Sequence, residues 1–441
     1  MATTYLSKNL PANQNSLHKW TYSGWVKRSE IGNTTHLFNF YDDANNRGGL
    51  RFNSDNTLMY YEHLGGSTVV NKTTNRVFRD VSAWYHVMVA VDKSVSSPDT
   101  QIYINGVEET SFSTDNDYSQ NQTTKINDTD TLYINSEDGS SNIHNQLMAH
   151  VHWVSGYKLT PATFGETDST SGIWKPKTAP SVTYGTNGFF LKFENSAAMG
   201  TDSSGNSNTF AVSGSMTQNV DTPSNNFATI NPLYYSTSQS TLSNGNLTAT
   251  SSGANWNNFH STLAPSTGKW YWEVKVVNVG SNTHPIGIVG TDDTELNKTS
   301  LGDAFDNGTT GISYVQTGDK DVAGSRTSYG NSYTTGDIIG VAMDLDNLKL
   351  YFSKNGTYQN SGVPTSGSTG TGAISIVSGH SYLASFAHYN TMVDSINFGQ
   401  GFFGTTAVAS ANADANGHGA MEYAVPSGYY TLNTKNIKEF G

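Results

Sequence analysis

The stretch VAMDLDNLKLYFSKNG at residues 341–356 reads as a β-strand, a tight turn and a second strand that ends in Asn-Gly. A similar stretch stands far upstream, as VAVD at 89–92 followed by QIYINGVEE at 101–109. In both copies the first strand is almost continuously apolar, which is typical of a strand in the middle of a β-sandwich. Asn105-Gly106 and Asn355-Gly356 favour the positive φ angles of a two-residue hairpin turn. The repetition therefore predicts two sandwiches, each with one such central hairpin.

The second strand of the later copy alternates in polarity. Leu348, Leu350 and Phe352 are predicted to face one side of the sheet, and Lys349 and Tyr351 the other. Successive side chains of a strand point to opposite faces, so this pattern is typical of a β-strand.

Short alternating runs rich in β-branched and aromatic residues surround both hairpins, and no helical period persists. This pattern predicts an all-β chain with a first sandwich over 1–180, an added strand and linker over 181–235, a second sandwich over 236–400 and an extended tail over 401–441. An extended segment on a neighbouring surface is the alternative for the linker. The tail has too little apolar content for its own core, so we expect it to dock on a domain or a neighbour. In the first region we expect one short capped helix, within LTPATFGE at 159–166.

Composition excludes several classes of function. The net charge is −12, and the Lys and Arg residues are scattered rather than clustered. Nucleic acids and anionic membrane surfaces are therefore excluded as partners. The chain has no cysteine, which removes disulfides, thiolate metal sites and thiol nucleophiles. The N-terminal stretch lacks the apolar run of a signal peptide, and no run of about twenty apolar residues predicts a membrane span.

Two sets of motifs resemble known domain families. The first set has the order and approximate spacing of motifs in laminin-G-like, concanavalin A-like jelly rolls. It comprises WTYSGWVKRS, WYHVMVAVD, IYINGVEE, LYIN and MAHVHWVSGYKLTPATFGE. KWYWEVKV, IGIVG, GDIIGVAMDLDNLKLYFSKNG and YLASFAHY resemble a SPRY domain. These resemblances imply two antiparallel jelly-roll β-sandwiches, the first concanavalin A-like and the second SPRY-like, joined by an irregular crossover.

The joining segments carry a further resemblance. Four motifs in these segments are similar to segments of virion-associated, fibre-like proteins of marine tailed bacteriophages. They are FGETDSTSGIWKPK, YGTNGFFLKF, DSSGNSN and VPSGYYTLNTKN. This resemblance implies a virion protein, made in the bacterial cytoplasm, whose partners are other virion proteins and copies of itself. Fibre-like phage proteins tend to be trimers.

Enzymatic chemistry is not expected. Glucanases of the concanavalin A type resemble one another in an E-x-D-x-x-E pattern that places two carboxylates across a sugar bond, and this chain lacks it. GTDDTE at 290–295 and TDNDY at 114–118 are typical of loop turns. No Gly-x-Ser-x-Gly elbow or phosphate-binding loop occurs either, so we predict no catalytic residues.

Aromatic residues near Gly- or Asn-rich loops are the candidate glycan contacts. An aromatic ring beside amide groups is a common way to bind a sugar face. The candidates are Asn116, Tyr118, Trp256, Phe259, Tyr314, Tyr329 and Tyr333. The same rings would also suit packing against a neighbouring subunit. Tryptophans within strand patterns are predicted to lie in the cores, namely Trp20, Trp25, Trp84, Trp153, Trp270 and Trp272.

Structural calcium is the one ion for which the first region offers candidate oxygen ligands. These are Asp115, Asp117, Asp128 and Asp130, with Asp202 in GTDSSGNSN as an outlier. His150 and His152 share one face of a predicted strand, a spacing that a metal ion can use. No third ligand is evident, and a solvent-facing or intersubunit pair is the alternative.

The sequence thus predicts a non-enzymatic virion structural protein, in the tail, a fibre or a capsid-surface appendage, that adheres to host-surface glycans. A pure assembly or decoration module without a host ligand is the first alternative. A polysaccharide-cleaving enzyme is the second.

Overall fold

The computed structural model describes residues 4–11, 18–169, 172–235, 238–296, 304–306 and 308–441. The chain forms two units, Met1–Gln218 and Asn219–Gly441. Each unit contains two large, facing β-sheets whose neighbouring strands are almost all antiparallel. The predicted fold class, an all-β chain of two sandwiches, is confirmed. In the described residues, no helix has the length and apolar character that a membrane span requires.

The first unit is built from short strands whose bounds follow the alternating sequence runs. They are β1 Tyr5–Asn9, β2 Lys19–Arg28, β3 Thr35–Asp43, β4 Asn46–Phe52, β5 Thr57–Leu64, β6 Ser67–Val77, β7 Trp84–Asp92, β8 Asp99–Ile104, β9 Val107–Glu108, β10 Phe112–Asn116, β11 Thr131–Ile134, β12 Gln146–Ser155, β13 Gly165–Thr167, β14 Trp174–Pro176, β15 Phe189–Leu191 and β16 Ala211–Ser213. One sheet has the order β10-β6-β5-β4-β3-β11-β1-β16, the other has the order β15-β12-β2-β7-β8-β9, and β13 pairs with β14.

The second unit repeats this design. Its strands are β17 Ser240–Ser243, β18 Thr248–Ser251, β19 Asn257–His260, β20 Lys269–Asn278, β21 Pro285–Gly290, β22 Ile312–Val315, β23 Asp319–Val322, β24 Ser325–Ser328, β25 Ile338–Asp344, β26 Lys349–Lys354, β27 Thr357–Tyr358, β28 Ile374–Ser375, β29 Tyr382–His388, β30 Val393–Asn397, β31 Phe402–Phe403, β32 Thr406–Ala407 and β33 Tyr430–Thr431. One sheet has the path β17-β18-β30-β20-β25-β26-β27, with β28 paired to β26 and β33 to β20. The facing sheet has the order β19-β29-β21-β22-β23-β24, and β31 pairs with β32.

The predicted tryptophan cores are present in both units. Five of the six tryptophans are at most 1% exposed, and Trp84 is half-buried. Replacing one fully buried tryptophan by alanine typically costs about 3–5 kcal/mol, so these rings dominate the stability of each sandwich.

The doubled sequence stretch forms the same hairpins in both units. β7 pairs with β8, and β25 pairs with β26. The Asn-Gly turns follow the second strand, with φ of 51° and 81° at Asn105 and Gly106, and 48° and 80° at Asn355 and Gly356. The asparagine side chain makes an equivalent bond in each copy, since its Oδ1 accepts a backbone N–H at 2.8 Å at the start of β7 or β25. The predicted turn chemistry is confirmed.

The predicted alternation of β26 is confirmed, since Leu350 and Phe352 lie in the main core and Tyr351 lies on the opposite face of the sheet. Tyr351 is nevertheless fully buried. The reason is a second apolar layer, in which Met421 and Tyr429 of the C-terminal tail pack over Tyr351 and Ala342. Because that sheet is covered on both sides, its central strand β25 is apolar at nearly every position.

An equivalent outer layer covers β7 in the first unit. Met88 and Ala90 pack against Phe164, Tyr184 and Phe190, which come from the segment that follows β12. In both units, therefore, chain that follows the main strands returns to cover the outside of the repeated hairpin.

The helix predicted at 159–166 is wrong in length and capping. The segment forms a single 3₁₀ turn at Pro161–Thr163, and Thr160 makes no capping side-chain bond. β13 begins at Gly165, so the chain returns to sheet before an α-helical turn can form. The α-helix of the second unit, α1 at Thr434–Phe440, lies in the tail and was not predicted.

The segment predicted as added strand and linker, 181–235, contributes to both units. β15 pairs with β12, and β16 pairs with β1, so these strands belong to the first sandwich. The division between the two units falls between Gln218 and Asn219. The tail packs on the second unit, where Leu432 joins the main core.

Candidate functional site

A cleft of about 380 Å³ opens beside β15 in the first unit. Residues 178–182 line one side, and Tyr184, Phe190, Lys192, Ser203 and Ser204 complete the lining. Its volume lies within the range of about 300–1,000 Å³ that is typical of small-molecule sites. We call it the crossover cleft, because its walls come from the segment between the two main runs of strands.

One wall of the crossover cleft is held by Asp202. Its Oδ1 accepts the backbone N–H of Phe190 at 2.9 Å and that of Ser204 at 2.8 Å. The N–H of Ser203 donates to the carbonyl of Phe190 at 2.8 Å. An aspartate that bonds the backbone two residues on stabilises a tight turn, so the DSSGNSN loop is fixed alongside β15.

Two asparagines tie this loop to the YGTNG segment. The side-chain amide of Asn206 donates to the carbonyl of Gly188 at 2.9 Å, and that of Asn208 donates to the carbonyl of Thr186 at 2.9 Å. Asn208 is nearly fully buried, so its bonds stabilise the loop without competition from water. The two joining motifs DSSGNSN and YGTNGFFLKF therefore meet at one site.

The floor of the crossover cleft is a stack of rings. His152 on β12 lies 3.8 Å from Phe190, centroid to centroid, with an interplanar angle of 17°. Burial holds the pKa of His152 well below its usual value and raises the pKa of Tyr184. The histidine is therefore neutral and the tyrosine protonated, and the Tyr184 hydroxyl and Nδ1 of His152 share a hydrogen bond of 2.9 Å. The floor is rigid and uncharged.

Lys192 gives the crossover cleft a positive charge. Its Nζ lies 3.4 Å from Oε1 of Glu194, and the Glu194 side chain is 69% exposed. Exposed ion pairs of this kind contribute about 0–1 kcal/mol, so a ligand anion can displace Glu194. Among the described lining residues there is no carboxylate. The lining offers hydroxyls, the rings of Tyr184 and Phe190 and one ammonium group. This combination suits a polyhydroxylated ligand with an acidic group.

The first pair of predicted glycan contacts lies elsewhere in this unit. Tyr118 is 4% exposed, and its hydroxyl donates to Oε2 of the buried Glu62 at 2.8 Å. Lys93 lies over the Tyr118 ring at 5.1 Å. Tyr118 is thus a core residue with no free face for a sugar, whereas Asn116 is exposed at the end of β10.

The remaining predicted rings lie in the second unit and are mostly buried. Phe259 stacks on Phe386 within the core. The other buried rings are Tyr314, Tyr329 and Tyr333, and Trp256 is half-buried against Tyr389. The predicted placement of the buried rings on accessible loops is wrong, because long-range strand pairing turns them inward although their sequence neighbours are turn residues.

Three of the predicted calcium ligands form ion pairs with lysines. Nζ of Lys72 lies 2.5 Å from Oδ1 of Asp115 and 3.5 Å from Oδ2 of Asp117. Nζ of Lys125 lies 3.4 Å from Oδ2 of Asp130, and Asp128 is half-buried nearby in sequence. Calcium needs six to eight oxygen ligands around one point, whereas two different ammonium groups hold these three carboxylates.

Asp202, the outlying calcium candidate, serves a different role. Its two carboxylate oxygens accept bonds from Phe190, Ser204 and Asn208, so they build the loop of the crossover cleft.

His150 and His152 do not form a chelating pair. A bulge interrupts the pairing of β12 between Ala149 and His152, and His150 has φ of 48°. The two rings are 6.5 Å apart, and Nδ1 of His152 bonds Tyr184. Within the described residues, the group whose ligand atoms do converge is in the second unit and comprises His284, His388 and Asp394.

Sequence reasoning missed the crossover cleft because residues 181–235 were assigned to an added strand and a linker, with no site between them. The available signal was the pair of Asn- and Gly-rich motifs around FFL at 189–191, a strand-like triplet with a turn on either side. That pattern does not indicate that hydrogen bonds join the two turns.

Comparisons with known proteins support both domain types. Residues 3–163 match the family model of the concanavalin A-like lectin/glucanases superfamily, and residues 269–380 match the SPRY domain model. No curated protein sequence matches the chain.

Several solved structures are similar to part of the chain. The SPRY domain of human HERC1 is 16% identical, with 36% of this chain and 91% of that chain covered and a TM-score of 0.28. The TRIM65 PSpry domain is 13% identical, with coverage of 38% and 88% and a TM-score of 0.30. Stonustoxin is 14% identical, with coverage of 38% and 27% and a TM-score of 0.28. Likenesses this distant assign no function, and the two family models carry the conclusion that this chain joins a concanavalin A-like domain to a SPRY domain.

Proposed function

We propose that this chain is a non-enzymatic virion structural protein of a tailed bacteriophage that binds a host-surface glycan in the crossover cleft. The cleft itself is the observation on which this proposal depends. It offers a polar wall, an aromatic floor and one ammonium group on a domain of the concanavalin A-like type, and both domain types of the chain are binding-type folds.

The ligand chemistry follows from the lining. Ser203 and Thr178 are exposed and present hydroxyls that donate and accept hydrogen bonds, as sugar hydroxyls require. Lys192 pairs with an exposed glutamate and lies over the Phe190 ring at 5.7 Å, so a carboxylate or sulfate on the glycan would gain a charge-assisted bond. An acidic glycan is therefore the preferred ligand.

Binding without cleavage is the expected activity. Hydrolysis of a glycosidic bond needs two carboxyl groups about 5–10 Å apart across the scissile bond. The described lining of the crossover cleft supplies a lysine and hydroxyls but no carboxyl group. These groups can orient a sugar and cannot supply the acid and the nucleophile.

A glycan array probed with the full chain tests the binding proposal. We expect retention of acidic glycans and, for Lys192→Ala, a loss of about tenfold in affinity, the size of one charge-assisted hydrogen bond. Ala179→Trp should block the cleft by volume alone. Lys320→Ala, in the other unit, is the matched control and should bind as the wild type does. A blank array, or equal binding by all variants, would refute the glycan proposal, and release of reducing ends would favour an enzyme.

The virion role has separate support and a separate test. Two of the four motifs that resemble segments of fibre-like phage proteins, YGTNGFFLKF and DSSGNSN, build the crossover cleft, so this segment supports both parts of the proposal. We expect the chain among the structural proteins of purified phage particles, in contact with other virion proteins and with copies of itself, as a trimer. Mass spectrometry and cryo-electron microscopy of intact particles measure this. Absence from the particles would leave only the binding proposal.

A further inference from the structure

Three side chains converge in the core of the second unit. Nε2 of His284 lies 2.7 Å from Oδ2 of Asp394, and Nε2 of His388 lies 3.0 Å from the same oxygen. All three side chains are fully buried, and their ligand atoms lie within 4.8 Å of one another.

The cluster joins the two facing sheets of its sandwich. His284 directly precedes β21, and His388 ends β29, so both belong to one sheet. Asp394 lies on β30, in the other sheet. The rings of Phe259 at 4.9 Å and Phe386 at 5.2 Å pack against His388 and keep water from the cluster.

Two buried polar atoms of this cluster have no hydrogen-bond partner. Oδ1 of Asp394 and Nδ1 of His284 are both buried and have no partner. The ion pairs of Asp394 within the described residues are with the two histidines alone, so no lysine or arginine there balances its charge. A buried carboxylate is costly unless a cation compensates it, and here only a protonated histidine or a bound metal ion can do so. A bound cation would remove that cost and use the unpaired oxygen.

We propose that His284, His388 and Asp394 form a closed binding site for one zinc-like divalent metal ion, which clamps the two sheets of the second sandwich. Two Nε2 atoms and one carboxylate oxygen supply three corners of a tetrahedral site. The second carboxylate oxygen is too close to the first to form a corner of its own, and it completes the coordination as a bidentate ligand. Imidazole nitrogens suit zinc and its transition-metal neighbours, whereas calcium and magnesium require oxygen ligands.

The ligand geometry needs little change. Metal–ligand bonds of about 2.0–2.1 Å in a tetrahedron place neighbouring donors about 3.3 Å apart. The nitrogen–oxygen distances of 2.7 and 3.0 Å must therefore open by only a few tenths of an ångström. Each histidine must also carry its ring proton on Nδ1, and Oγ of Ser251, 3.3 Å from Nδ1 of His388, is placed to accept that proton.

Because the site is closed, the ion must enter during folding. The full chain is unfolded in denaturant with a chelator, then refolded with or without Zn²⁺ and desalted, and its metal content is measured by mass spectrometry. We expect about one zinc per chain and a higher Tm for the zinc-refolded protein. Refolding with Co²⁺ instead should give the visible absorption of a tetrahedral cobalt site.

Variants distinguish this site from adventitious binding by histidines. Asp394→Asn and His388→Gln should each lose the stoichiometric metal. His380→Gln, which changes a partly exposed histidine paired with Asp292, is the matched control and should retain it. If Asp394→Asn fails to refold, the Co²⁺ spectrum of the wild type and the metal content of His284→Gln still decide the result. A wild-type chain that refolds fully without taking up stoichiometric zinc or cobalt overturns the proposal, as does loss of the metal in His380→Gln alone.

Discussion

At the scale of single residues, Glu273 shows how one buried carboxylate fastens the C-terminal tail. It lies on β20, is fully buried, and accepts the backbone N–H groups of Glu422 and Tyr423, each at 2.8 Å. The hydroxyl of Tyr271 donates to it at 3.1 Å. Burial raises the pKa of Glu273 from 4.5 to about 7 despite these bonds. The anchor therefore changes its charge near neutral pH.

The raised pKa predicts a pH dependence of stability. The folded chain binds the Glu273 proton more tightly than the unfolded chain, so this contribution is fully present below pH 4.5 and is lost as the pH rises through about 7. At about 1.4 kcal/mol for each tenfold change in proton affinity, the loss is up to roughly 3 kcal/mol. Denaturant unfolding of the wild type and of Glu273→Gln at several pH values measures it. The variant should show a flatter profile over this window, and the exposed Glu439→Gln should keep the wild-type slope. An unchanged slope in Glu273→Gln would contradict the assignment.

The repeated asparagine makes a second prediction at this scale. Asn355 has φ of 48°, and its side chain accepts the backbone N–H of Ile338. Alanine at this position would lose the hydrogen bond, and its left-handed backbone conformation would cost free energy. We expect Asn355→Ala to lower the free energy of unfolding by about 2 kcal/mol. Asn355→Gly should lower it by about half as much, because glycine adopts this conformation freely. Thermal or denaturant unfolding separates the two, and equal losses would mean that backbone strain is unimportant here.

At the scale of elements, the outer layers explain the continuous apolar strands. Met421 of the tail is fully buried against Tyr351 and Tyr271, so it is part of a second core. We expect Met421→Ala to destabilise the second unit by about 2–5 kcal/mol, the usual cost of truncating a buried methionine. Val220→Ala, at a 44% exposed site, should change the free energy of unfolding by less than about 0.5 kcal/mol. If both changes had the same small effect, the tail would not contribute a core.

The strands and turns also show which parts of the fold could be predicted from the sequence. Period-two patterns and Asn-Gly turns report local backbone geometry, and for that reason the strands and both hairpins were predicted correctly. Whether Tyr351 or Phe259 is covered depends on chain that is distant in sequence. Local alternation therefore placed Tyr351 on the correct side of β26 without indicating that the tail covers it, and turn neighbours made Phe259 look accessible. The crossover cleft depends on side-chain bonds from Asp202 and Asn208 to the backbone, which produce no periodic signal.

At the scale of the whole molecule, the boundary between the units decides which fragments fold. Residues 1–180, the first sandwich predicted from the sequence, lack β15 and β16. Phe189 and Leu191 of β15 are fully buried in the core of the first unit, and Phe210 beside β16 is 4% exposed there. Losing three such side chains, at about 2–5 kcal/mol each, would consume most of the 5–15 kcal/mol by which a domain is usually stable.

We therefore expect a fragment of residues 1–218 to fold alone and a fragment of residues 1–180 to fail. The tryptophan bands of the near-ultraviolet circular dichroism spectrum report the fixed packing of Trp20, Trp25 and Trp153, which both fragments contain. A difference in these bands therefore reflects the missing strands rather than missing tryptophans. The 1–218 fragment should also retain glycan binding, because the whole crossover cleft lies within it. A fully packed 1–180 fragment would show that β15 and β16 are additions to a sandwich that is complete without them, and that the crossover cleft lies outside the folding unit.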